Sequence, residues 1–568
     1  MNDHSFWRFK ILTNNSKKIL SYLVNNPKSN ISINQLSRLL DISVGSTHQI
    51  LKEFETEDIV LSEPAGNSII YHINFNNTMT RKLVDELRSN EPQENVKKTK
   101  IVCTIGPSTD SVAMIRKLIE NGADVIRINS SHCTEQSMLE LISNIRKANE
   151  FVPILIDIPG VKVRLDKFNG EFFFKKGDIL NFCSNKKEGC IPVDHDGFHN
   201  KMSKGAHFSM DDGTVGFAVE KIEGDIISCI ALNDGAIKGR KGINVPGLNL
   251  GGCHLTPVDK KLITFAIKNK VNFIGISFIK SAQQVEKINE LMKGTDVKLI
   301  SKIETQEAID EYPQIIEKSY AIMIDRGDLG AEVGLERIPR LQKKIINECN
   351  YQGKPIIIAT QMLDSMRISP YPTKSEITDV ANAVLDGASA LMLSAETAVG
   401  KYPLETASTM RKIISDIEGE VKYRTFEDNI SRDDFTDVMG AAVAKITNLI
   451  KIDKIVCITS GGYSARMLAR HKLPTWIIAA TDNPRVASIM NLVWGVMPFL
   501  VNIKIDNSGS VEQKRKIVME CLDNGLIEKE DTILILGAVF PNNRKITNMI
   551  ELHKVREFIG YFKEAEKK

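Results

Sequence analysis

No apolar run in the 568 residues approaches the ~20 needed to cross a bilayer. The opening MNDHSFWRFKIL has neither the apolar core nor the cleavage site of a secretory signal. An excess of one charge sign is also missing. The 74 basic residues face 71 acidic ones, a formal net of +3, so no global field favours nucleic acid and any such case is local. The nine cysteines contain no CxxC pair, which removes the usual zinc and dithiol spacings and suits buried thiols in a reducing compartment. No repeat of solenoid period is found. These absences predict a cytoplasmic protein without a membrane partner. The length exceeds one compact core and implies three or four domains.

Residues 14 to 75 read as a small unit. KKILSYLVNNP is apolar-periodic, and in the next segment Leu36, Leu39 and Leu40 are predicted to line one helical face. Ile42 and Gly45 lie in or near a turn, and Ile50, Leu51 and Phe54 recur on the following helix. Two short apolar runs about Pro64, Ala65 and Gly66 read as a hairpin, giving helix, turn, helix and wing over residues 1–90. A polar linker follows over residues 91–99.

From residue 100 to about 405, apolar runs alternate with helical patterns: IVCTIG, DVIRIN, PILIDI, FIGISF, LISKIE, AIMIDR, PIIIAT and ALMLSA. Runs that are apolar almost throughout suit parallel strands buried on both faces, and eight of them predict a (β/α)8 TIM barrel over 100–165 and 247–405. The gap after the third run is too long for a bare loop. Its short β-type runs, separated by Gly and Asp turns, predict an inserted β-domain over 166–246. KIVCITS, TWIIAAT, VMPFLV and DTILILG, with helices between them, predict a terminal α/β domain over 406–568.

Chemistry in such a barrel sits at the carboxyl ends of its strands, and polar groups crowd there. The second run delivers Arg127, Asn129, Ser131 and His132; positions 127, 129 and 131 share a face if extended geometry persists to the rim. Arg127 suits phosphate, whereas Asn129 and Ser131 offer neutral oxygens to a hard cation. Asp157 closes the third run, with Lys162 and Arg164 soon after. Lys302 and Glu304 lie two apart on the fifth, and Arg326, Gly327 and Asp328 close the sixth. Glu304 and Asp328 make a carboxylate pair for Mg2+ or Mn2+, and Lys302 can neutralise a phosphoryl group in transit. Thr360 and Ser394 end the last two runs.

The signatures ISKIE, RGDLG, ATQMLDSM and LSAETAVGKYP make residues 97–560 resemble pyruvate kinases. The resemblance implies a barrel with a β-domain lid, an α/β regulatory domain and a homotetramer. It also implies phosphoryl transfer from phosphoenolpyruvate to ADP. It assigns phosphate binding to Arg127, catalysis to Lys302, and divalent-metal binding to Glu304 and Asp328. The substrate carboxylate falls to the N–H groups of Gly327 and Asp328 with the Thr360 hydroxyl. Nucleotide contacts fall to Asn129, His132, Arg164 and Lys241, and Thr360 with Ser394 falls on the proton route to the enolate. The monovalent-cation ligands are Asn129, Ser131, Asp157 and the Ile158 carbonyl. Lys162 stands where potassium-dependent members carry Glu, so an ammonium is expected to replace K+. Asp325 stands where a small residue is common.

In the terminal domain, Ser460, Gly461, Gly462 and Ser464 follow a strand and precede a helix, and the resemblance sets them facing the GAVFPNN loop. The resemblance makes this a pocket for a phosphorylated effector, with a plain structural turn as the alternative. The amino-terminal unit resembles winged-helix domains of transcriptional regulators. Its first eighty residues carry seven basic and seven acidic side chains, a poor footprint for DNA, which leaves protein binding, oligomerisation or internal regulation open beside it. A catalytically reduced metabolite sensor is the alternative reading of the whole chain. Cys183, Cys190, His195, His199 and His207 crowd the inserted domain without a compact zinc spacing.

Overall fold

The computed structural model describes residues 14–25, 31–40, 42–65, 68–74, 77, 80, 97–160, 162–184, 187–210, 213–245, 255–424, 434–505, 510–538 and 547–565. The Gly66 turn, the first part of the 91–99 linker, residue 246 at the lid boundary and most of the GAVFPNN loop lie outside the described residues. The chain forms two compact units, residues 1–96 and 97–568.

The first unit has helices α1 (Asn14–Asn25), α2 (Ile33–Leu40) and α3 (Val44–Thr56), then strands β1 (Val60–Ala65) and β2 (Ser68–Ile73) in an antiparallel hairpin. Ser43, in an extended backbone, caps α3 by accepting from the Ser46 N–H. Leu36, Ile50, Leu51 and Phe54 are buried in one core with Ile19 and Leu23. Leu39, expected on that face, is 59% exposed. It lies three residues beyond Leu36, at the margin of a stripe that an eight-residue helix makes narrow.

In the second unit, β3 (Lys100–Thr104), β4 (Val125–Asn129) and β5 (Ile154–Ile158) lead into the insertion. β14 (Phe273–Ile276), β15 (Lys298–Ile303), β16 (Ala321–Asp325), β17 (Ile356–Ala359) and β18 (Ala390–Leu393) then close a parallel eight-stranded barrel. Alternate strand residues serve two cores, as a period of two requires. Ile126, Ile156, Ile274 and Ile324 pack outward under the helices. Val102, Leu155, Phe273, Ile300, Met323 and Ile357 fill the barrel, and their core runs on into the terminal domain through Val443, Ile455 and Leu468.

The insertion forms β6 to β13 between Glu171 and Asn244, as a six-stranded sheet and a two-stranded one around Phe182, Phe208 and Phe217. The terminal sheet has the order β21-β20-β19-β22-β23, where β19 is Lys454–Ile458, β20 Trp476–Thr481, β21 Val496–Leu500, β22 Thr532–Gly537 and β23 Met549–Lys554. Only β23 is antiparallel to its neighbour.

Candidate active site

The barrel's inward alternation brings charged residues together at its carboxyl end. Arg127 on β4 is buried, and its Nε and Nη2 donate to Oδ2 of Asp157 on β5 at 2.9 and 2.7 Å. Its Nη1 donates to Thr104 Oγ1 at 2.9 Å, so the guanidinium plane is fixed before any ligand arrives. Lys302 on β15 is buried too. Its Nζ lies 2.8 Å from Glu304 Oε1, 3.4 Å from Asp157 and 3.4 Å from Asp325, and donates to Ser277 Oγ at 2.9 Å. Burial opposes charge on this ammonium, but the three carboxylates outweigh it and hold its pKa above the usual value. Asp157 is shifted the other way: burial is outweighed by Lys302 and Arg127, which keep it ionised.

After β16 the chain enters helix Arg326–Val333 without a side-chain cap, which leaves backbone N–H groups pointing out of its first turn. The Gly327 N–H donates to Thr360 Oγ1 at 3.1 Å, and that hydroxyl lies 3.1 Å from Asp325 Oδ1. Thr360 and Gln361 follow β17 at φ +66° and +54°, a left-handed backbone that side chains disfavour. Arg326 holds them there, donating to their carbonyls at 2.7 and 3.2 Å while it pairs with Asp379 at 2.8 Å. Ser394, just past β18, has a buried Oγ with no hydrogen-bond partner among the described residues.

Glu304, Asp325 and Asp328 bring carboxylate oxygens within 4.8 Å of one another. Burial and the charges of Asp328 and Asp325 push the Glu304 carboxyl above its usual range despite Lys302. All-oxygen donors crowded enough to repel one another fit a hard divalent cation such as Mg2+ or Mn2+, which retains further positions for water or substrate oxygen.

The expected one-sided row of Arg127, Asn129 and Ser131 is not formed. After β4 the chain turns into a 3-10 helix over Ser130–His132, so alternation stops at Asn129, whose side chain accepts from the Ser131 N–H at 3.2 Å. The Asp157 side chain is engaged with Arg127 and Lys302, and its carbonyl accepts from Ser130 Oγ at 2.6 Å. Ile158 ends β5. Lys162 reaches Asp328 Oδ1 at 2.5 Å. It runs over Gly242, where an added Cβ would meet the lysine Cε at 2.5 Å. Arg164 bridges Gly242, and the Lys241 carbonyl accepts from the Leu165 N–H, so both belong to the lid stem. Lys162, Asn244, Phe278, Glu304 and Asp328 line an open cleft there. His132 is exposed on the rim. Asp325 and Ser277 were not assigned roles from sequence. A carboxylate in place of a small residue was the one available signal, and Ser277 carried none.

Two other constellations stand apart. Ser460 and Gly461 are exposed, and Gly462 takes φ +78° with its N–H donating to Thr459 Oγ1 at 2.9 Å. Ser464 Oγ lies 2.6 Å from Thr547 Oγ1. In the lid, Cys183 and Cys190 form a disulfide, which corrects the expectation of free thiols throughout. Six other described cysteines are free. The bond consumes both sulfurs of the Cys/His group, and among the described residues the Glu304, Asp325 and Asp328 set is the one cluster able to hold a metal.

The chain matches the family model for the pyruvate kinase barrel domain over residues 96–407 and that for the pyruvate kinase alpha/beta domain over 437–553. Residues 12–60 match a winged helix-turn-helix DNA-binding model. The pyruvate kinase of Bacillus licheniformis is 36% identical over 482 residues, covering 82% of each chain. That of Geobacillus stearothermophilus is 34% identical over 82% of this chain and 81% of its own. The crystal structure of a pyruvate kinase from Cryptosporidium parvum superposes with a TM-score of 0.74 at 29% identity, over 81% of this chain and 96% of that one. On the barrel and terminal domains together, the chain belongs to the pyruvate kinase family.

Proposed function

We propose that the protein transfers the phosphoryl group of phosphoenolpyruvate to ADP, yielding pyruvate and ATP, as a cytoplasmic glycolytic homotetramer. The observation that carries the reading is the Lys302 ammonium, set among Glu304, Asp325 and Asp157 with Arg127 locked beside it. Arg127 and Lys302 draw the substrate phosphate toward the rim, and the first-turn N–H groups of Gly327 and Asp328 receive its carboxylate beside Thr360. A β-phosphate oxygen of ADP attacks phosphorus in line as the bond to the enol oxygen breaks, and Arg127 and Lys302 balance the charge that passes between them. A divalent cation on Glu304 and Asp328, when bound, supplies further charge neutralisation for the phosphoryl oxygens. Lys302 then holds the enolate, and C3 gains a proton by a route through the Thr360 hydroxyl and the unpartnered Ser394 hydroxyl. Arg164 and Lys241 on the lid stem, with His132 and Asn129 on the rim, face the nucleotide, and lid closure excludes the water that would hydrolyse phosphoenolpyruvate.

The test is pyruvate formation from phosphoenolpyruvate and ADP with Mg2+, comparing the wild-type chain with Lys302→Met. Turnover that falls at least a hundredfold in the variant supports the reading. A folded wild-type chain that is inactive with and without candidate phosphorylated effectors overturns it in favour of a sensor. Sedimentation reports the assembly, and a gel-shift with the full chain separates a DNA-reading amino-terminal unit from a protein-binding one.

A further inference from the structure

Asp325 occupies the N-cap position of helix Arg326–Val333, where an aspartate ordinarily turns its carboxylate onto the first-turn N–H groups. It makes no such bond. The residue is buried, with Oδ2 3.4 Å from the Lys302 ammonium and Oδ1 3.1 Å from the Thr360 hydroxyl. Its carboxylate leaves the helix start open and serves the rim instead.

The strand register explains the meeting. Asp325 and Ala359 are paired at the ends of β16 and β17. Met323 and Ala359 face the barrel interior, whereas Ile324 packs outward. A period of two therefore points Asp325 inward and would send Thr360, one residue past Ala359, outward. The left-handed backbone of Thr360, at φ +66°, breaks the alternation and brings its hydroxyl back to Asp325.

Three groups contact that hydroxyl. The Gly327 N–H donates to it at 3.1 Å, and the acceptors within its reach are Asp325 Oδ1 and the Ala359 carbonyl, the latter at 2.6 Å. A hydroxyl has one hydrogen to give, and an ionised acceptor makes the stronger bond. The Ala359 carbonyl belongs to the peptide that joins Ala359 to Thr360, so it ties the hydroxyl to its own chain and not to the facing strand. In the proposed reaction the substrate carboxylate takes the Gly327 N–H, which withdraws that anchor just as the hydroxyl is needed. Asp325 is the anchor from β16 that stays, itself steadied by Lys302 on its other oxygen.

We infer that Asp325 is a positioning residue for Thr360, holding its hydroxyl at the rim while C3 of the enolate gains a proton. The inference rests on the phosphoryl-transfer reading and on the place of Thr360 in it. The role is separate from the charge that Asp325 adds beside Glu304 and Asp328. It acts through the hydroxyl, and so it vanishes when the hydroxyl is removed.

The test is a double-mutant cycle on the full chain, read as exchange of the C3 hydrogens of pyruvate for deuterium in D2O, followed by NMR. Mg2+ is saturating, and inorganic phosphate stands in for the phosphoryl group beside Arg127 and Lys302, so the proton step is observed apart from phosphoryl transfer. Thr360→Val keeps the side-chain shape and removes the hydroxyl. Asp325→Ala is expected to slow exchange about tenfold in the chain with Thr360 and by roughly twofold or less in Thr360→Val. Equal slowing in both backgrounds overturns the inference, because Asp325 then acts through the metal cluster or Lys302. Unchanged exchange in Asp325→Ala overturns it as well. If Thr360→Val exchanges too slowly to follow, the forward kcat of the four proteins is compared by the same criterion, and if Asp325→Ala does not fold, Asp325→Leu, of similar bulk to aspartate, takes its place. Phosphoryl transfer assayed on the same wild-type chain separates the two failures. A chain that forms no pyruvate from phosphoenolpyruvate and ADP refutes the reading itself, whereas an active chain with an additive cycle loses this inference alone.

Discussion

The Nζ of Lys162 lies 2.5 Å from Oδ1 of Asp328, a residue proposed to hold the divalent metal. The ammonium thus delivers its positive charge to the carboxylate cluster directly, rather than standing alone where a monovalent ion would bind. Removing K+ at matched ionic strength is expected to change wild-type turnover less than tenfold. Lys162→Glu sets a second carboxylate against Asp328, and its turnover is expected to fall at least tenfold without K+ and recover when K+ is added. A K+-independent Lys162→Glu enzyme contradicts this account.

Gly242 gives the stem of Lys162 its path, since a Cβ there would meet the lysine Cε at 2.5 Å. Gly242→Ala is expected to displace the ammonium from Asp328 and make turnover K+-sensitive in the same sense as Lys162→Glu, though more weakly. The two K+ titrations, run side by side, check it.

Asp325 adds a third carboxylate beside Glu304 and Asp328, lies 3.4 Å from Lys302 and contacts the Thr360 hydroxyl. Asp325→Ala removes one carboxylate from the proposed metal cluster. The Mg2+ concentration giving half-maximal turnover is expected to rise roughly tenfold, a shift of ~1.4 kcal/mol at 25 °C. A Mg2+ titration at saturating substrates measures it, and an unchanged midpoint removes Asp325 from the cluster.

The candidate catalytic residues most legible in sequence are those on regular strands. Arg127 and Lys302 sit within β4 and β15, where a period of two dictates the inward face. Legibility declines where the backbone leaves that period. Ser131 falls in a 3-10 turn, and Thr360 owes its position to a left-handed backbone held by Arg326, a residue distant in sequence. Lys162 illustrates the same limit. Its residue type was readable, but its partner belongs to a helix start 166 positions away.

Cys183 and Cys190 close a loop of sequence separation seven in the lid, worth about 2.5 kcal/mol by loop-closure entropy. Thiol titration of denatured protein is expected to find two more reactive sulfurs after reduction than before. A Cys183→Ser, Cys190→Ser protein should show no such difference. Equal counts in the wild-type chain remove the disulfide.

His471 is 1% exposed, with Nδ1 3.0 Å from the Arg424 carbonyl. Burial, reinforced by the Arg470 charge and only partly opposed by that carbonyl, lowers its pKa from 6.5 to about 4. The unfolded chain therefore binds a proton that the folded one refuses between those two values. Its contribution to stability is whole above pH 6.5 and is lost as pH falls toward 4. Between pH 7 and 5 the loss amounts to about 2 kcal/mol. His471→Gln keeps a polar group at the site without a titrating ring. In urea unfolding, the wild-type chain is expected to lose about 2 kcal/mol more than His471→Gln over that interval, other titrating groups being common to both. Parallel pH profiles would mean that the folded protein accepts the proton.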